Sequence, residues 1–531
     1  DCVNAQPVST TLYRSGDAVY NEYTGGVVGY QASGSIKSCT NRGSMISSSN
    51  QQYLYMGGIA GDFAEGEAEN NVNVAKLDLQ GDATSAVKGV RYASVGGLYG
   101  RFGAVQSDSD KNSSNSGPIT VLNVETAADN STTLNLGGVA GYIDSESPLS
   151  SLTNTGAITA DLVANFTAFA IGGISGSTEC GISDSKNSGT LMINNGILLK
   201  NTSSRICFGG IAGRNVAGDL NTYSGCVNDG EVGISTKSND FNILPAFTGG
   251  ILGYTEMPVA VKGCENNGYV NSSGANNKYD GLFSAAGGIV GAIVETVAEV
   301  ADCIVSVDIR NYAYNRNIDM DPFKMCHCGG IVGCAVGESQ SNIVKISNCS
   351  NSGALENKRS TAAGIVGFAK YAAVSDCRFT GSVVGSGPHF AAGIAGCLSD
   401  ASVTDCIVKS PDIYSHSSLG FNSINHFPAA GIVGYLYGKS SVSRCKAFAT
   451  LIQNVGSTAN EQMHVGMGLI AGISTAGSTI SDCGVGGTLN TGSAGKVQNV
   501  IMTVTSDNFG NCIVGDGNVT PSGCYYWNGQ E

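Results

Sequence analysis

The chain has little charge, few prolines and few of the residues on which enzymes depend. Of its 531 residues 13% are charged, ten are prolines and one is a tryptophan. The five histidines, His327, His389, His416, His426 and His464, lack the paired spacing of metal ligands. The net charge is −14 and no basic cluster is present, so we expect neither a nucleic acid nor an anionic membrane surface as a partner.

Long apolar runs are also missing. Glycine, serine and asparagine interrupt the uncharged stretches, so we expect no membrane span. The sequence contains no nucleophile elbow, phosphate-binding loop or dinucleotide fingerprint. We therefore expect no cofactor, with Ca²⁺ as the one candidate ion. Hydrophobic residues still make up 42% of the chain, which favours an ordered protein.

Glycine is abundant, with 75 residues, and many of them occur in a five-residue motif of the form Gly-Gly-Ile-x-Gly. The motif occurs thirteen times, and the last glycines of successive copies are 29 to 42 residues apart. The copies occupy residues 25–29, 57–61, 96–100, 137–141, 172–176, 209–213, 249–253, 287–291, 329–333, 363–367, 392–396, 430–434 and 468–472. A period of this length is typical of a repeat architecture.

A second motif, best represented by residues 347–355, places Asn-x-Gly after a cysteine in several repeats. Each repeat then contains about three short strand-like segments, which are too short and too rich in glycine for helices. One repeat cannot bury its own apolar face, whereas stacked repeats can. We therefore predict an all-β, right-handed parallel β-helix of about 13 rungs. We expect residues 1–20 to form an N-terminal cap, 21–490 the β-helix, and 491–531 a C-terminal rung and cap.

The third motif position is a branched aliphatic residue in every copy, for example Ile331, Ile365, Ile394 and Ile432. We expect these side chains to point inward and to stack from rung to rung. The second position is glycine in the first twelve copies, which predicts either a positive φ or a close backbone approach. Five asparagines in successive repeats can form a hydrogen-bonded ladder along the axis. They are Asn115, Asn154, Asn187, Asn228 and Asn266.

Eight of the 18 cysteines recur once per repeat. They are Cys226, Cys264, Cys303, Cys349, Cys377, Cys406, Cys445 and Cys483. Stacked side chains run parallel, which suits a disulfide dihedral poorly, so we interpret these residues as an internal row of buried thiols. Outside this row, the pairs Cys2 with Cys39 and Cys512 with Cys524, near the ends of the chain, are the candidates for disulfides.

The combination of Gly-Gly-Ile/Val-x-Gly with Ser-x-Cys-x-Asn-x-Gly resembles the GLUG-motif repeat family. The resemblance extends from about Gly25 to Trp527. It implies a β-helical module that is extracellular or on the cell surface, often linked to adhesion, and it supplies no catalytic residues. The asparagine of the second motif is missing from several later repeats, which is a departure from the family pattern.

Carboxylates are the candidates for chemistry. Asp376 and Asp405 precede row cysteines and would be neighbours on adjacent rungs, where a carboxylate pair can bind Ca²⁺ or support polysaccharide cleavage. Asp319 and Asp321 could contribute to a Ca²⁺ site in a loop. In both cases solvated carboxylates are the simpler interpretation.

Three functions remain open from the residues alone. The first is a non-enzymatic surface scaffold or adhesin that binds a glycan or a surface protein. The second is a polysaccharide-active β-helix enzyme, either a lyase or a hydrolase. The third is a subunit of an extracellular filament that associates end to end.

Overall fold

A computed structural model describes most of the chain. The described residues are 1–11, 21–48, 52–80, 87–103, 110–122, 124–126, 133–161, 168–195, 205–218, 220–234, 246–273, 275–276, 283–312, 314–315, 325–357, 361–386, 390–417, 428–455, 466–492 and 500–530. Strands make up 59% of the structure and helix 1%. Among the described residues, no helix has the length and apolar character that a membrane crossing requires.

The chain folds into two compact units. The first comprises residues 1–260 and 264–282, and the second comprises 261–263 and 283–531. Both are built from rungs of up to five short strands, which we name a to e in chain order. Strand a ends at the first residue of the glycine motif, and strand b begins at the fourth. The sequence suggested about three strands per repeat, because it does not show that turn residues divide the second half of each repeat into strands c, d and e.

The first unit contains seven copies of the motif. Its a strands are Asn21–Gly25, Tyr53–Gly57, Tyr92–Gly96, Thr133–Gly137, Ala168–Gly172, Arg205–Gly209 and Ala246–Gly249. Its b strands are Val28–Gln31, Ala60–Phe63, Tyr99–Phe102, Ala140–Ile143, Ser175–Thr178, Ala212–Asn215 and Leu252–Thr255. Its c strands are Ser35–Lys37, Glu67–Glu69, Leu149–Ser150, Ile182–Ser183, Asn221–Ser224 and Val259–Lys262, whose last two residues belong to the second unit. Its d strands are Val3–Asn4, Thr40–Asn41, Val72–Asn73, Ser114–Asn115, Thr153–Asn154, Lys186–Asn187, Val227–Asn228 and Glu265–Asn266. Its e strands are Val8–Thr10, Met45–Ser47, Leu77–Gln80, Ile119–Leu122, Ile158–Asp161, Leu191–Asn195, Val232–Ile234 and Val270–Ser272, and further strands are Val87–Val90, Val124–Thr126 and Ala275–Asn276.

The second unit contains six copies of the motif. Its a strands are Ala285–Gly287, His327–Gly329, Thr361–Ala363, Ala391–Ala392, Ala429–Ala430 and Met467–Gly468. Its b strands are Val290–Ile293, Val332–Val336, Val366–Lys370, Ala395–Ser399, Val433–Tyr437, Ala471–Ser474 and Val514–Gly517, and its c strands are Ala298–Ala301, Val344–Ser347, Ala372–Ser375, Ser402–Thr404, Ser441–Ser443 and Thr479–Ser481. Its separate d and e strands are Ile304–Val305, Ile309–Asn311, Ser350–Asn351, Leu355–Asn357, Arg378–Phe379, Val383–Ser386 and Tyr525–Tyr526. Strands d and e are continuous in Ile407–Ser417, Lys446–Val455 and Gly484–Gly492, and the remaining elements are Tyr314–Asn315, Val500–Thr503 and a 3-10 helix, Phe509–Cys512.

Equivalent strands pair in parallel and in register within each unit. Gly96, for example, pairs with Gly57 on one side and with Gly137 on the other. The predicted fold class, an all-β right-handed parallel β-helix, is confirmed. The ends also consist of rung strands: Val3–Asn4 pairs with Thr40–Asn41, and Tyr525 pairs with Gly484. Val500–Thr503 differs, because it pairs antiparallel with residues 488–491.

The third motif position points into the core, as the sequence predicted. Twelve of its thirteen side chains are fully buried, including Ile331, Ile365, Ile394 and Ile432. Val27, in the first copy, is half-buried. A fully buried aliphatic side chain contributes roughly 1.5–3 kcal/mol, so this stack is a major part of the hydrophobic stabilisation.

The second motif glycine is needed because backbone segments approach closely, and not because φ is positive. None of these glycines is among the positive-φ residues. A Cβ on Gly173 would lie 2.1 Å from the carbonyl oxygen of Gly210 and 2.3 Å from the Cγ of Asn187. The space beside this glycine is therefore filled by the next rung and by an asparagine of strand d.

The asparagine ladder of the first unit is continuous and longer than predicted. Each of seven successive side chains donates to the next Oδ1 at 2.8 Å. The ladder consists of Asn4, Asn41, Asn73, Asn115, Asn154, Asn187, Asn228 and Asn266. The Asn115 amide also donates to the carbonyl of Gly117 and accepts its N–H, so all four of its hydrogen-bonding positions are used. This pairing explains Asn-x-Gly, since a Cβ on Gly117 would lie 2.7 Å from the Nδ2 of Asn73.

We predict that Gly173→Ala destabilises the protein by roughly 3 kcal/mol or more, because the added Cβ overlaps backbone that cannot move without shifting a rung. Gly510→Ala is the matched control, since a Cβ at Gly510 meets no atom within 4 Å. Urea denaturation midpoints of the wild type, Gly173→Ala and Gly510→Ala are compared. Equal midpoints for Gly173→Ala and Gly510→Ala would contradict the close-approach explanation.

One carboxyl group is buried in the first unit. Asp110 is inaccessible to solvent and accepts a hydrogen bond from the hydroxyl of Ser113. The nearby Tyr99 is also fully buried and accepts a hydrogen bond from Asn71. Burial raises the pKa of Asp110 to about 7, although the hydrogen bonds from Ser113 and Tyr99 oppose this shift. The folded state therefore holds a proton that the unfolded chain releases at a lower pH.

We predict that this proton makes stability fall as the pH rises. The contribution of the protonated Asp110 to the free energy of unfolding is fully present below pH 4 and is lost as the pH approaches 7. In that interval the carboxyl ionises freely only in the unfolded chain. The loss amounts to roughly 4 kcal/mol across the interval. Urea denaturation between pH 4.5 and pH 8 measures it as the difference between the wild type and Asp110→Asn. If the two proteins keep a constant stability difference over this range, Asp110 does not titrate as described.

Candidate functional site

A groove runs along the outer surface of the first unit where strands a and b meet. On strand a, Ala93 and Val95 point into the core, so Tyr92 and Ser94 face outward. On strand b, the outward position is the residue that follows the last motif glycine. In register from rung to rung, this row consists of Tyr30, Asp62, Arg101, Tyr142, Ser177, Arg214 and Tyr254.

The two outward rows enclose a cavity of about 400 Å³. Small side chains, among them Ala168, Ala170 and Ser177, line its middle. Tyr92 and Tyr142 belong to one end and Arg214 to the other. The cavity therefore exists because the rung of Ala168, Ala170 and Ser177 carries small residues where its neighbours on strand b carry Tyr142 and Arg214.

A file of tyrosine rings leads into this cavity. The ring centroids of Tyr30 and Tyr23 are 5.1 Å apart, those of Tyr23 and Tyr55 are 5.4 Å apart, and those of Tyr55 and Tyr92 are 5.5 Å apart. Tyr142 meets Tyr92 edge to face at 6.4 Å. Tyr30 is 51% exposed and the others are half-buried, so the file presents aromatic surface to solvent over four rungs.

Charged groups at the tyrosine end are bonded to one another. Arg101 donates to Asp144 and lies 3.6 Å from Asp62, and Tyr142 donates to Glu179. Burial raises the pKa of Asp62, while Arg101 opposes the shift. Burial also raises the pKa of Tyr55 to about 12, and the charge of Asp62 adds to this.

The other end is organised around Glu256. Arg205 and Tyr254 both donate to this carboxylate, and the guanidinium of Arg205 lies over the Tyr254 ring, 4.8 Å from its centroid. Burial opposes ionisation of Glu256, but the hydrogen bonds from Tyr254 and Arg205 outweigh it and hold the pKa of Glu256 below its ordinary value. Cys207, beside these groups, is buried, which raises the pKa of its thiol to about 11.

The equivalent outward row of the second unit is apolar and mostly buried. It includes Ala292, Cys334, Phe368 and Cys397, all at most 1% exposed. Phe368 stacks on the His327 ring at a centroid distance of 5.1 Å. The aromatic and charged groove therefore belongs to the first unit.

Chemically, the groove is equipped for binding. The pKa values of Tyr55 and Tyr142 are raised, so their phenols remain protonated and offer donors and apolar faces rather than bases. The carboxylates of Asp144, Glu179 and Glu256 already accept hydrogen bonds from groove residues. A concave surface with aromatic walls and a few fixed polar groups is typical of ligand sites.

Comparison with known proteins identifies no relative: no family model, curated protein or solved structure matches this chain.

The catalytic candidates Asp376 and Asp405 lie outside the groove. They occupy equivalent corners on adjacent rungs, as predicted, because Ser375 pairs with Thr404. Their φ angles are +54° and +56°. The same corner has a positive φ in every rung, where it is filled by Ser, Asn, Asp, Arg or Gly, among them Asn348 and Gly225. Asp and Asn tolerate this conformation well, which explains the recurrence of aspartate before the cysteines without a catalytic role.

Asp405 also forms an ion pair with an arginine. Arg444 donates two hydrogen bonds to its oxygens, at 2.9 and 2.7 Å, and these hold the pKa of Asp405 below its ordinary value. The calcium candidates Asp319 and Asp321 lie outside the described residues. Within the described part of the chain, no three His, Cys, Asp or Glu side chains form a group that could hold a metal ion.

The cysteine row is internal, as predicted, and all eight of its members are at most 1% exposed. Every cysteine of the chain is a thiol. The thiol of Cys349 shares hydrogen bonds with those of Cys303 and Cys377, and together with burial these raise its pKa. Cys406 is held in the same way between Cys377 and Cys445, which also raises its pKa.

The register corrects the placement of Cys2, Cys39 and Cys524 outside the cysteine row. Cys2 precedes Val3, which pairs with Thr40, so Cys2 and Cys39 are adjacent members of the row rather than residues outside it. Cys524 likewise extends the row beyond Cys483. Cys512 is the last residue of the 3-10 helix, and its carbonyl accepts the N–H of Leu469, a residue of the glycine motif. It therefore lies beside the glycine motif and not in the cysteine row. In the structure none of the four forms a disulfide.

The groove residues were not identified from the sequence, although a signal was present. The residue directly after the motif is Tyr, Asp, Arg, Tyr, Ser, Arg and Tyr in the first seven copies, whereas it is mostly apolar in the later ones. This difference becomes meaningful once strand b is known to expose that position.

We predict that few thiols react in the folded protein. Cys2 is exposed and Cys524 is partly exposed, whereas the other sixteen thiols are buried. Burial raises the pKa of Cys180 and Cys326 to about 11. Few of these thiols are therefore ionised near pH 8, and they react slowly even if the reagent reaches them. A disulfide-exchange reagent at pH 8 should label at most two thiols rapidly, and eighteen in denaturant. Rapid labelling of more than two would show that the row is accessible.

Proposed function

We propose that this protein is a non-enzymatic glycan-binding protein that serves as an extracellular surface scaffold or adhesin. The observation that carries the proposal is the groove of the first unit, in which the tyrosine file from Tyr30 to Tyr142 leads into the cavity beside Ser177. The resemblance to GLUG-motif proteins supports the surface location.

The surfaces of sugars and of this groove are complementary. A pyranose ring has C–H faces that pack on aromatic rings, while its hydroxyl groups both donate and accept hydrogen bonds at the ring edge. The groove supplies tyrosine faces on several rungs, with Asn135 and Ser177 between them and guanidinium groups at its ends. Because the tyrosines extend over four rungs, the groove suits an extended chain of sugars better than a single small molecule.

Polysaccharide cleavage is the second candidate, and it is favoured by Asp62. This carboxyl is 3% exposed, its Oδ1 has no hydrogen-bond partner among the described residues, and burial raises its pKa. A carboxyl group whose pKa is raised by burial at the edge of a glycan groove is a candidate general acid. Release of reducing ends from any bound polysaccharide would favour this candidate over binding alone.

We predict that Tyr92→Ala weakens glycan binding about tenfold or more, because it removes one aromatic face at the mouth of the cavity. A glycan array identifies the ligand, and titration calorimetry then compares the variants. Ala168→Trp should also block binding, because it fills the cavity without removing a contact. Tyr525→Ala, which changes an exposed tyrosine of the second unit, is the matched control.

Two results would contradict the proposal. One is a folded wild-type protein that binds no glycan on the array. The other is unchanged affinity in both Tyr92→Ala and Ala168→Trp, with thermal unfolding showing that these variants are folded.

A further inference from the structure

We infer that the glycan bound in the groove is anionic, carrying carboxylate or sulfate groups on its sugars, and that Arg214 is the residue that pairs with the negative group. This inference rests on the proposed function and specifies its ligand. It follows from which polar groups of the groove are already bonded within the protein and which are not.

The acidic side chains around the cavity are largely engaged. Asp144 accepts from Arg101, and Glu179 accepts from Tyr142. Glu256 accepts from both Arg205 and Tyr254. A ligand that offered mainly donors would therefore compete with hydrogen bonds that the protein has already formed.

Arg214 differs from Arg101 and Arg205, the other two arginines that line the cavity. Its Nη2 lies 3.9 Å from the Oε2 of Glu256, at the limit of an ion pair and too far for a hydrogen bond. Its Nε is buried and has no hydrogen-bond partner in the described structure. Arg101 and Arg205, by contrast, both hydrogen-bond directly to carboxylates. A guanidinium nitrogen that is buried without an acceptor is costly, so this side chain is poised to accept a ligand.

The position of Arg214 fits that assignment. It follows Ser177 in the strand b row and lines the cavity, while its guanidinium carbon lies 5.9 Å from the centroid of the Tyr254 ring. A ligand that packs on the tyrosines and enters the cavity would bring its ring substituents beside this guanidinium. The planar guanidinium matches carboxylate and related oxyanions through two parallel N–H donors, which a neutral hydroxyl cannot satisfy.

The rest of the protein makes such binding selective. The chain carries 42 acidic and 28 basic residues, so its general surface repels a polyanion. Binding of an anionic glycan would therefore depend on the local arginine and not on non-specific attraction. This makes the effect of a single substitution easy to measure.

The experiment compares matched oligosaccharides of equal length. Glucose and galactose oligomers serve as the neutral ligands, their C6-oxidised forms supply carboxylates, and their sulfated forms supply sulfates. Binding is measured by titration calorimetry for the wild type, Arg214→Gln, Arg214→Lys and Arg444→Gln. Arg444, in the second unit and bonded to Asp405, is the matched control.

We expect the wild type to prefer an oxidised or sulfated oligomer over its neutral counterpart by tenfold or more. Arg214→Gln should abolish this preference, Arg214→Lys should retain part of it, and Arg444→Gln should leave it unchanged. The better of the oxidised and sulfated oligomers identifies the anionic group.

Two outcomes would overturn the inference, and they are distinguishable. If neutral and anionic oligomers bind equally well, or if Arg214→Gln weakens both to the same extent, the ligand is not selected by charge; binding that is still lost in Tyr92→Ala then leaves the proposed function intact. If no oligomer of either class binds and the glycan array is also empty, the proposed function fails together with this inference.

Discussion

The close stacking of one rung on the next is the constraint on which the rest of this structure depends. Parallel strands in register lie about 4.8 Å apart, so each feature of one rung must fit directly against the same feature of its neighbour. The second motif glycine meets this condition most tightly, since a Cβ on Gly210 would lie 2.0 Å from the carbonyl of Gly250. A side chain there would separate rungs and expose the aliphatic stack beneath them.

The same constraint explains the regular use of polar residues. A buried side chain that repeats on every rung must be satisfied by its own copies, and asparagine can do this because it both donates and accepts. In the first unit Asn154 and Asn187 are linked in this way. In the second unit the equivalent positions of three successive rungs hold Val305, Asn351 and Phe379, and of these three only the asparagine needs a partner. The equivalent strand d position thus holds a hydrogen-bonded asparagine ladder in the first unit and largely apolar side chains in the second.

Outward positions are free of this constraint, and there the units diverge. The residue after the motif points away from the core, so it can vary without disturbing the stack. In the first unit it supplies Arg101, Tyr142 and Arg214, with the small Ser177 on the one rung between Tyr142 and Arg214. In the second unit Phe368 and Cys397 occupy the equivalent position and are buried. The cavity therefore arises from a change of side-chain size along one row of an otherwise regular scaffold.

The repeat by itself determined the fold class, the inward aliphatic stack, the glycine corner, the core of the asparagine ladder and the internal row of thiols. These features follow from a period, and a period is visible in one dimension. The tertiary structure decided the number of strands in a rung, the membership of Cys2 and Cys524 in the cysteine row, and the left-handed corner that explains Asp376 and Asp405. It also decided the groove, because Tyr92 and Arg214 are far apart in the chain and line one cavity only when strands a and b of several rungs are stacked. A periodic pattern specifies how a rung repeats, but which side chains face each other across an outer corner depends on the coiling of the backbone.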